Sequence, residues 1–292
     1  MKKYISLFAS LVAVLAVASC QKDKYGAVPG NDSNPFVVVN VYTPELPADP
    51  DCDVFVRVAA NNVTAELYFF AEPVATKEAR NLPEAEYPKY VIEHGKKISD
   101  TYVNEFDGTI GAEFVEAQLY GKNILSVVAV GKNGASHIAS QEFFGLKWTT
   151  VATGTYSFSK PAAFATVMGS SSMTGVELQR SDDNPDNYRF KNLFGPGKSL
   201  NIVVYPKYTA TDDDGTYTFF RVPAQPTGHN YGSYGEVSIR DIGYWQGDDS
   251  YVFESGMESG MYEDYNCFIE AQLYVSAGSL GYGYSFFTPD SK

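Results

Sequence analysis

The sequence contains few of the side chains on which most catalytic and metal centres depend. Its 292 residues include 3 cysteines, 3 histidines and 2 tryptophans. His94, His137 and His229 stand in unlike contexts, so a catalytic triad or a zinc site would have to be assembled wholly by folding. No Gly-x-Ser-x-Gly motif occurs either. We therefore predict a protein that is not an enzyme and holds no metal or cofactor. The alternative is a hydrolase built on two facing carboxylates.

Positive charge is also in short supply. Lys and Arg together number 22 against 35 Asp and Glu, which gives a net charge of −13. Nucleic-acid binding needs clustered basic side chains that displace counterions, so we predict no nucleic-acid partner. A basic patch that would hold anionic lipid is equally disfavoured. The many acids predict a solvated acidic surface.

Long apolar runs are lacking except at the very start of the chain. Lys2 and Lys3 precede an apolar run over residues 4–17, and the small residues Ala18 and Ser19 then lead to Cys20. The run is too short for a settled transmembrane helix and is typical of a signal peptide. We predict a signal peptide over residues 1–19. Its removal takes away two lysines and no acid, so the net charge changes from −13 to −15.

The end of this run, Val17-Ala18-Ser19-Cys20, resembles the lipobox of bacterial lipoproteins. The resemblance implies that the Cys20 thiol carries diacylglycerol and that its new amine is acylated, for example with palmitate. It thereby implies a lipid anchor in the outer membrane, where each buried CH₂ contributes about 0.8 kcal/mol. An ordinary secretory signal followed by a chance cysteine is the alternative.

Residues 21–24 (Gln-Lys-Asp-Lys) are similar to the export signal that follows the cysteine in surface lipoproteins of Bacteroidetes. Lys24 departs from that pattern, because a second acid is expected at its position. The resemblance implies display on the cell surface, with the periplasmic face as the alternative. Residues 25–35 are rich in Gly, Pro and Asn, and we predict a lipidated flexible tether over residues 20–35.

The remaining chain is predicted to be all-β. About 270 mature residues suggest two domains, and plentiful Gly, Pro, Tyr and Phe with β-branched runs favour strands. We expect two tandem β-sandwich-like domains, over residues 36–145 and 148–292. For the second domain, a barrel-like fold is the alternative to a sandwich. Over residues 75–98 the spacing of apolar residues changes from strand alternation to a helical period, and Pro88 fits a first helical turn. This predicts one short helical insertion in the first domain. After residue 148 we expect strands only, including residues 250–254.

Two stretches carry resemblances to known modules. The turn at Gly121, the strand over residues 124–130 and the Asn133-Gly134 turn resemble the last strands of a fibronectin type III domain, although Ile124 stands where that family has a tyrosine. Trp148, the Gly154-x-Tyr156 motif and residues 186–190 are similar to C-terminal modules of Bacteroidetes lipoproteins. The first resemblance implies a seven-strand sandwich, and the second implies a β-sandwich or barrel-like module.

Two further patterns bear on covalent links and metal sites. For Cys52 and Cys267 we predict two separate buried thiols, with a disulfide as the alternative. Residues 182–186 and 212–215 place acidic and amide oxygens as a calcium loop would, but the first stretch has no glycine at the sixth place and no acid at the twelfth. We interpret both as turns, because Asp and Asn side chains bond their own backbone.

The clearest candidate binding residues are aromatic and follow residue 227. They stand among Gly, Ser, Asp and Glu rather than among aliphatic residues, and they are Tyr231, Tyr234, Tyr244, Trp245, Tyr262 and Tyr265. A sugar stacks its CH groups on such rings while carboxylates and amides bond its hydroxyls, and a protein partner is the other class that uses such anchors. We expect Phe268, Leu273, Phe286 and Phe287 to face the core instead.

The order of lipid anchor, tether, spacer-like sandwich and aromatic-rich terminal domain resembles that of surface lipoproteins that bind glycans. The resemblance implies a non-catalytic cell-surface lipoprotein that binds polysaccharide through aromatic loops of its C-terminal domain. The alternative is a structural, adhesion or accessory lipoprotein that binds a surface protein and has no small-molecule site.

Overall fold

The structure, a computed structural model, describes residues 34–158, 162–254 and 256–291. The predicted signal peptide, Cys20 and the predicted tether up to residue 33 lie outside these ranges. No helix within them is long and apolar enough to cross a membrane.

The described chain is mostly β-structure, with 53% strand and 14% helix. This confirms the expectation of an all-β protein. The chain forms two compact units. Unit 1 comprises residues 34–42, Phe55–Phe114 and Lys122–Phe143. Unit 2 comprises Thr43–Val54, Val115–Gly121 and the described residues from Phe144 onward.

The first half of the chain forms two four-stranded sheets. Its elements are β1 (Val37–Tyr42), β2 (Val54–Ala60), β3 (Thr64–Pro73), α1 (Val74–Arg80), a 3₁₀ turn (Glu84–Glu86), α2 (Tyr87–His94), β4 (Lys96–Lys97), β5 (Tyr102–Val103), β6 (Ile110–Glu116), β7 (Gly121–Gly131) and β8 (Ser136–Gly145). The strand orders are β1-β2-β6-β5 and β4-β3-β7-β8. The alternating pattern of β2 buries Val56 and Val58. The rings of Phe69 and Phe114, one from each sheet, pack edge to face at 4.8 Å.

The predicted helical insertion is present as α1 and α2, between β3 and β4. A buried carboxylate, Glu72, ties both helices to the end of β3. It accepts two hydrogen bonds from Arg80 of α1 and one of 2.9 Å from the Tyr87 hydroxyl of α2. Burial alone would raise the pKa of Glu72, but the bonds from Arg80 and Tyr87 outweigh burial and hold that pKa below its ordinary value. The carboxylate therefore stays ionised inside unit 1.

The second half of the chain is built around a closed ring of strands. Its elements are β9 (Trp148–Ser157), α3 (Ala162–Met168), β10 (Ser172–Ser181), β11 (Asn187–Phe190), β12 (Leu200–Thr211), β13 (Thr216–Arg221), β14 (Gln225–Asn230), a 3₁₀ turn (Gly232–Tyr234), β15 (Glu236–Arg240), α4 (Ile242–Gln246), a second 3₁₀ turn (Asp249–Phe253), β16 (Ser259–Tyr262), β17 (Cys267–Val275) and β18 (Gly278–Pro289). The order β17-β16-β13-β12-β11-β10-β9-β18 is closed by pairing between β17 and β18. Of the two expected architectures for this part, the structure has the eight-stranded barrel and not a second sandwich.

The interior of the barrel is filled with apolar side chains from every strand of the ring. They include Tyr156, Leu178, Phe190, Leu200, Ile202, Phe220, Ile269, Leu273 and Phe287. An eight-stranded barrel is just wide enough for side chains to fill it. Leu273 and Phe287, both expected in the core, are there. Strands β14 and β15 lie outside the ring and extend from β17.

The short helical elements of unit 2 contradict the expectation of strands alone. Residues 250–254, predicted as a strand, lie mainly in the 3₁₀ turn Asp249–Phe253. Helix α4 begins after Asp241, whose carboxylate accepts a 3.0 Å hydrogen bond from the Tyr244 backbone N–H, and it ends at Gly247 in the left-handed region. Five residues are too few to show a helical period, so the capping residues were the available signal.

Unit 2 also includes a segment from early in the chain, Thr43–Val54. Backbone hydrogen bonds hold it, since the carbonyl of Asp51 accepts from Leu146 N at 2.7 Å and that of Cys52 accepts from Leu119 N at 2.8 Å. The Asp51 side chain is paired with the Arg189 guanidinium. Cys52 and Cys267 are both buried and free, which confirms the prediction of two separate thiols.

Candidate functional site

Four adjacent strands of the barrel, β13, β16, β17 and β18, carry aromatic side chains on their outer surface. The register places Phe219 opposite Gly260, Gly260 opposite Phe268, and Phe268 opposite Phe286. Residues that pair in register project from the same face of a sheet. We define the aromatic face as Tyr217, Tyr262, Phe268, Tyr284 and Phe286.

Ring contacts connect the whole aromatic face. The Phe268 ring lies edge to face with Tyr217 at 4.9 Å, and its centroid is 5.9 Å from that of Tyr262 and 6.1 Å from that of Tyr284. Tyr284 in turn stacks near Phe286 at 6.4 Å. Gly260 permits this packing, because a Cβ atom there would lie 2.4 Å from Cζ of Phe268 and 2.5 Å from Cδ2 of Tyr217. The rings therefore close over a strand position that has no side chain.

Phe268 and Phe286 were expected in the core, and this expectation is wrong. Phe286 is 51% exposed and Phe268 is half-buried, whereas Cys267 and Phe287 face the barrel interior. The cause is the alternation of a strand, in which neighbouring residues point to opposite faces. Since Phe286 and Phe287 are adjacent, the sequence could have shown that only one of them reaches the core.

Three residues of the aromatic face, Tyr262, Phe268 and Phe286, line a cleft of about 770 Å³, together with Gly215, Cys267 and Phe287. We call this cavity the aromatic cleft and name the three rings its floor. We name its polar lining residues the rim, and these are Asp214, Thr216, Glu263, Asp264, Asn266 and Thr288. No Lys, Arg or His is found among the described residues that line it. The cleft therefore combines aromatic rings with polar side chains, and the charged side chains among its described lining residues are all acidic.

Two turns hold the acidic rim in place. In the first, Asp212 Oδ1 accepts bonds from the backbone N–H groups of Asp214 and Gly215, and its Oδ2 accepts a 2.7 Å bond from the Tyr262 hydroxyl. In the second, both oxygens of Asp264 accept bonds from Asn266. The Tyr262 bond lowers the pKa of Asp212, while burial and the same bond raise the pKa of Tyr262. Asp212, one of the residues considered above as calcium ligands, thus accepts hydrogen bonds from the backbone of its own turn.

The structure places the six predicted aromatic residues in several locations. Tyr262 lies on the floor of the aromatic cleft, and Tyr265 lines a neighbouring cavity of about 500 Å³ beyond the same turn. Tyr231 and Tyr234 stack on each other at 6.1 Å between β14 and β15. Within the described ranges, no ring contact joins these three groups.

Tyr244 and Trp245 lie on α4 and are 45% and 44% exposed. The Arg221 guanidinium lies 4.6 Å from the centroid of the Tyr244 ring, and the Trp245 ring is 6.4 Å from that of Tyr282 on β18. Tyr282, Tyr284 and Phe286 occupy alternate positions of that strand. Trp245 therefore continues, at one end, the aromatic line along the outside of β18.

Two buried carboxyl groups lie close to the aromatic face but away from the cleft lining. Glu270 is 3% exposed and Glu258 is 9% exposed. The Tyr217 hydroxyl donates a 3.2 Å bond to Glu258, whereas Glu270 Oε2 and the Tyr282 hydroxyl are enclosed without a hydrogen-bond partner in the described part of the chain. Burial, with a contribution from Glu258, raises the pKa of Glu270 to about 7. The sequence signal that could have indicated these two carboxyl groups is Glu270, which stands within the largely apolar strand β17.

A larger cavity of about 940 Å³ lies elsewhere in unit 2, and Trp148, Tyr188 and Arg189 are among its lining residues. The Arg189 guanidinium lies 4.4 Å from the centroid of the Trp148 ring and is paired with Asp51. One face of the indole is therefore covered by a cation, which leaves less aromatic surface for a ligand than the aromatic cleft offers.

No family model and no curated protein matches the chain. Two solved structures show a weak likeness to it. A mutant of Kfla1895 is 12% identical with a TM-score of 0.24, and the same mutant in complex with isomaltose is 11% identical with a TM-score of 0.22. In both comparisons 84% of this chain is covered, and the chain spans 29% of the length of the solved structure. At these TM-scores the likeness carries no argument about fold or function.

Proposed function

We propose that the protein is a non-catalytic lipoprotein of the cell surface that binds glycan in the aromatic cleft of unit 2. The observation that carries the proposal is that the rings of Tyr262, Phe268 and Phe286 line one cleft together with the carboxylates of the rim and the amide of Asn266. The CH groups of a sugar stack on aromatic rings, and its hydroxyls donate to carboxylate and amide oxygens. The cleft offers both kinds of contact side by side.

The length of the aromatic line favours a chain of sugars over a single sugar. At about 3.4 Å per residue, the alternate positions from Tyr282 to Phe286 span about 14 Å. Trp245 adds a further exposed ring beyond Tyr282. A polysaccharide lying along β18 would reach from the aromatic cleft to the predicted binding residues of α4.

The placement of the acids supports binding without catalysis. Glycoside hydrolysis needs two carboxyl groups that both reach the scissile bond. The two enclosed acids, Glu258 and Glu270, do not line the cleft. The acids that do line it, Asp214, Glu263 and Asp264, are exposed, so no carboxyl group among the described lining residues has the apolar surroundings of a general acid. Stacking on the rings, with hydroxyl bonds to the rim, accounts for a binding role.

The remaining parts of the chain would present this cleft at the cell surface. In this proposal Cys20 carries the lipid that anchors the protein in the outer membrane, and residues 20–35 form the tether. Unit 1 would be a spacer of fibronectin type III-like sandwich architecture. The two four-stranded sheets of unit 1, with Phe69 packed on Phe114, support that role.

The test is a polysaccharide binding screen on the soluble form that begins at Gln21, read by affinity electrophoresis and calorimetry. We expect Phe286→Ala to weaken binding of the retained polysaccharide at least tenfold. Tyr234→Ala is the matched control, because this ring is 57% exposed but lies outside the cleft. If both variants lose the same affinity, or if neither loses any, the binding site lies outside the aromatic cleft. A screen with no retained polysaccharide would refute the glycan proposal.

A protein partner is the second candidate function, and a separate surface favours it. Tyr208 and Phe253 are 54% and 37% exposed, and their rings stack at 4.9 Å. Exposed aromatic pairs of this kind anchor protein interfaces. If a partner co-purifies with the native protein but not with a Tyr208→Ala, Phe253→Ala variant, this function replaces the first.

A further inference from the structure

We propose that the aromatic cleft selects glycans that carry free amino groups over neutral and anionic glycans. The inference rests on the proposed glycan-binding function and names its ligand class. Three observations carry it, namely the rings on the floor, the acidic side chains of the rim, and the lack of any basic side chain among the described lining residues.

The rings supply the first attraction for a cation. The rings of Tyr262, Phe268 and Phe286 all line the same cavity. The Phe268 and Tyr262 rings are tilted by 59° with their centroids 5.9 Å apart. An ammonium group within about 6 Å of such ring centroids is attracted by their negative faces. A neutral hydroxyl or acetamide group lacks this attraction to the rings.

The rim supplies the second attraction. Asp214, Glu263 and Asp264 are exposed at the cleft, and Asp212 stands behind Tyr262 with its pKa lowered by the Tyr262 hydroxyl. An ammonium group placed over the rings would therefore lie beside several acidic side chains. A cleft lined by one sign of charge concentrates ligands of the opposite sign.

The same arrangement works against anionic sugars. A uronate or sulfate group in the cleft would meet the acidic rim without any Lys, Arg or His in the described lining to neutralise it. Juxtaposed like charges penalise the wrong partner. The expected order of affinity is therefore amino glycan, then neutral glycan, then anionic glycan.

The experiment compares two oligosaccharides with one backbone. Chitosan oligomers carry free amines, and chitin oligomers of equal length carry the same positions acetylated. Titrated calorimetrically into the soluble form beginning at Gln21, the deacetylated oligomer should bind about tenfold more tightly, within the range expected for one cation over aromatic rings. The preference should shrink as salt rises, because the rim is exposed.

Glu263→Gln tests the rim by removing one charge with little change in shape. We expect it to weaken binding of the free-amine oligomer more than binding of the acetylated oligomer, so that the preference for the amine falls several-fold. Glu236→Gln, an exposed acid of β15 that is not among the cleft residues, is the matched control and should change neither.

The outcomes separate this inference from the proposed function. If acetylated and free-amine oligomers bind equally, and Phe286→Ala abolishes both, glycan binding stands and the selectivity for amines is refuted. Tighter binding of a uronate-containing oligomer would also refute the selectivity. If no oligosaccharide or polysaccharide binds, both proposals fail.

Discussion

At the scale of single residues, the surroundings of Glu270 disfavour its charged form. It is 3% exposed, its Oε2 atom has no hydrogen-bond partner among the described residues, and Glu258 adds a like charge. The folded protein therefore keeps this carboxyl protonated up to a pH of about 7, whereas the unfolded chain releases the proton near 4.5. Between these values the folded state binds more protons, so this group makes the free energy of unfolding fall as pH rises.

Glu270→Gln should remove this pH dependence. We expect the variant and the native protein to have similar stability near pH 4. Above pH 7 the variant should be more stable, by roughly 3 kcal/mol, which is the value of a shift of this size. Urea unfolding at a series of pH values measures the difference. The exposed acid Glu263, changed to Gln, serves as control, and curves that stay parallel for Glu270→Gln would contradict the argument.

The sequence allowed partial prediction at this scale. Of the predicted binding residues, Tyr262 lines the aromatic cleft, and Tyr244 and Trp245 are exposed on α4. Their role in binding stays a prediction. Phe268 was missed because a phenylalanine in a strand is most often buried. Its outward position follows from pairing with Gly260 and Phe286, and strand register between distant segments is not readable from one sequence.

At the scale of elements, the buried Arg221 holds the segment that carries Tyr244 and Trp245. Its guanidinium donates bonds of 2.7 and 3.0 Å to Asp241, the residue that caps α4, and its Nη1 pairs with Asp249 at 2.7 Å. Arg221 and Asp241 are each 2% exposed. Asp249, in contrast, is 75% exposed. One arginine therefore connects β13 to both α4 and the 3₁₀ turn that follows.

Arg221→Met should destabilise unit 2 by about 3–5 kcal/mol, because it leaves the buried Asp241 charge without its partner. Asp249→Asn removes only the exposed partner of the same arginine and should change stability by about 1 kcal/mol or less. Thermal and urea unfolding of the two variants measures the contrast. Equal effects would show that the α4 segment does not depend on the buried pair.

The strands β2, β3 and β17 are long and alternate, so their sequences carry a readable strand pattern. The strands β14 and β16 have six and four residues and carry no such pattern. Pro226 within β14 is unfavourable for a central strand, but β14 pairs with β15 alone, and an edge strand of this kind tolerates proline. Short elements carry too few residues for a period, so their existence depends on neighbours that only the fold brings together.

At the scale of the whole molecule, the burial of both thiols gives a test of the packing of unit 2, which contains both cysteines. Cys52 is 7% exposed and Cys267 is 3% exposed. Burial, with the nearby Asp49 and Asp53, raises the pKa of Cys52 to about 11, and burial raises that of Cys267 further. The reactive species of a cysteine is the thiolate, so both groups should be inert while the protein is folded.

We expect a protein expressed from Gln21 onward to show almost no reaction with a thiol reagent at neutral pH and to react at both cysteines in denaturant. A reductant should leave the unfolding temperature unchanged, because the two thiols are not joined. Rapid reaction of one thiol in the native protein would show that its surroundings open.

The composition was sufficient to predict β-structure, and the resemblance to C-terminal lipoprotein modules implied a sandwich or a barrel for the C-terminal half. It was not sufficient to choose between them, since closure depends on a single pairing, β17 with β18, that joins the ends of one strand order. A sandwich and a barrel use the same alternating strands. The choice is made by register and shear, which involve residues far apart in the chain.

Closure of the ring also bears on how such a protein could diversify. Each strand of the ring is paired on both sides, so its backbone groups are committed to neighbouring strands and recognition falls to outward side chains. Outward positions such as Phe286 and Tyr262 can be exchanged without disturbing the inward set that keeps the barrel folded. A lineage could thus change its ligand by a few surface substitutions on an unaltered scaffold, and stability and specificity would evolve almost independently.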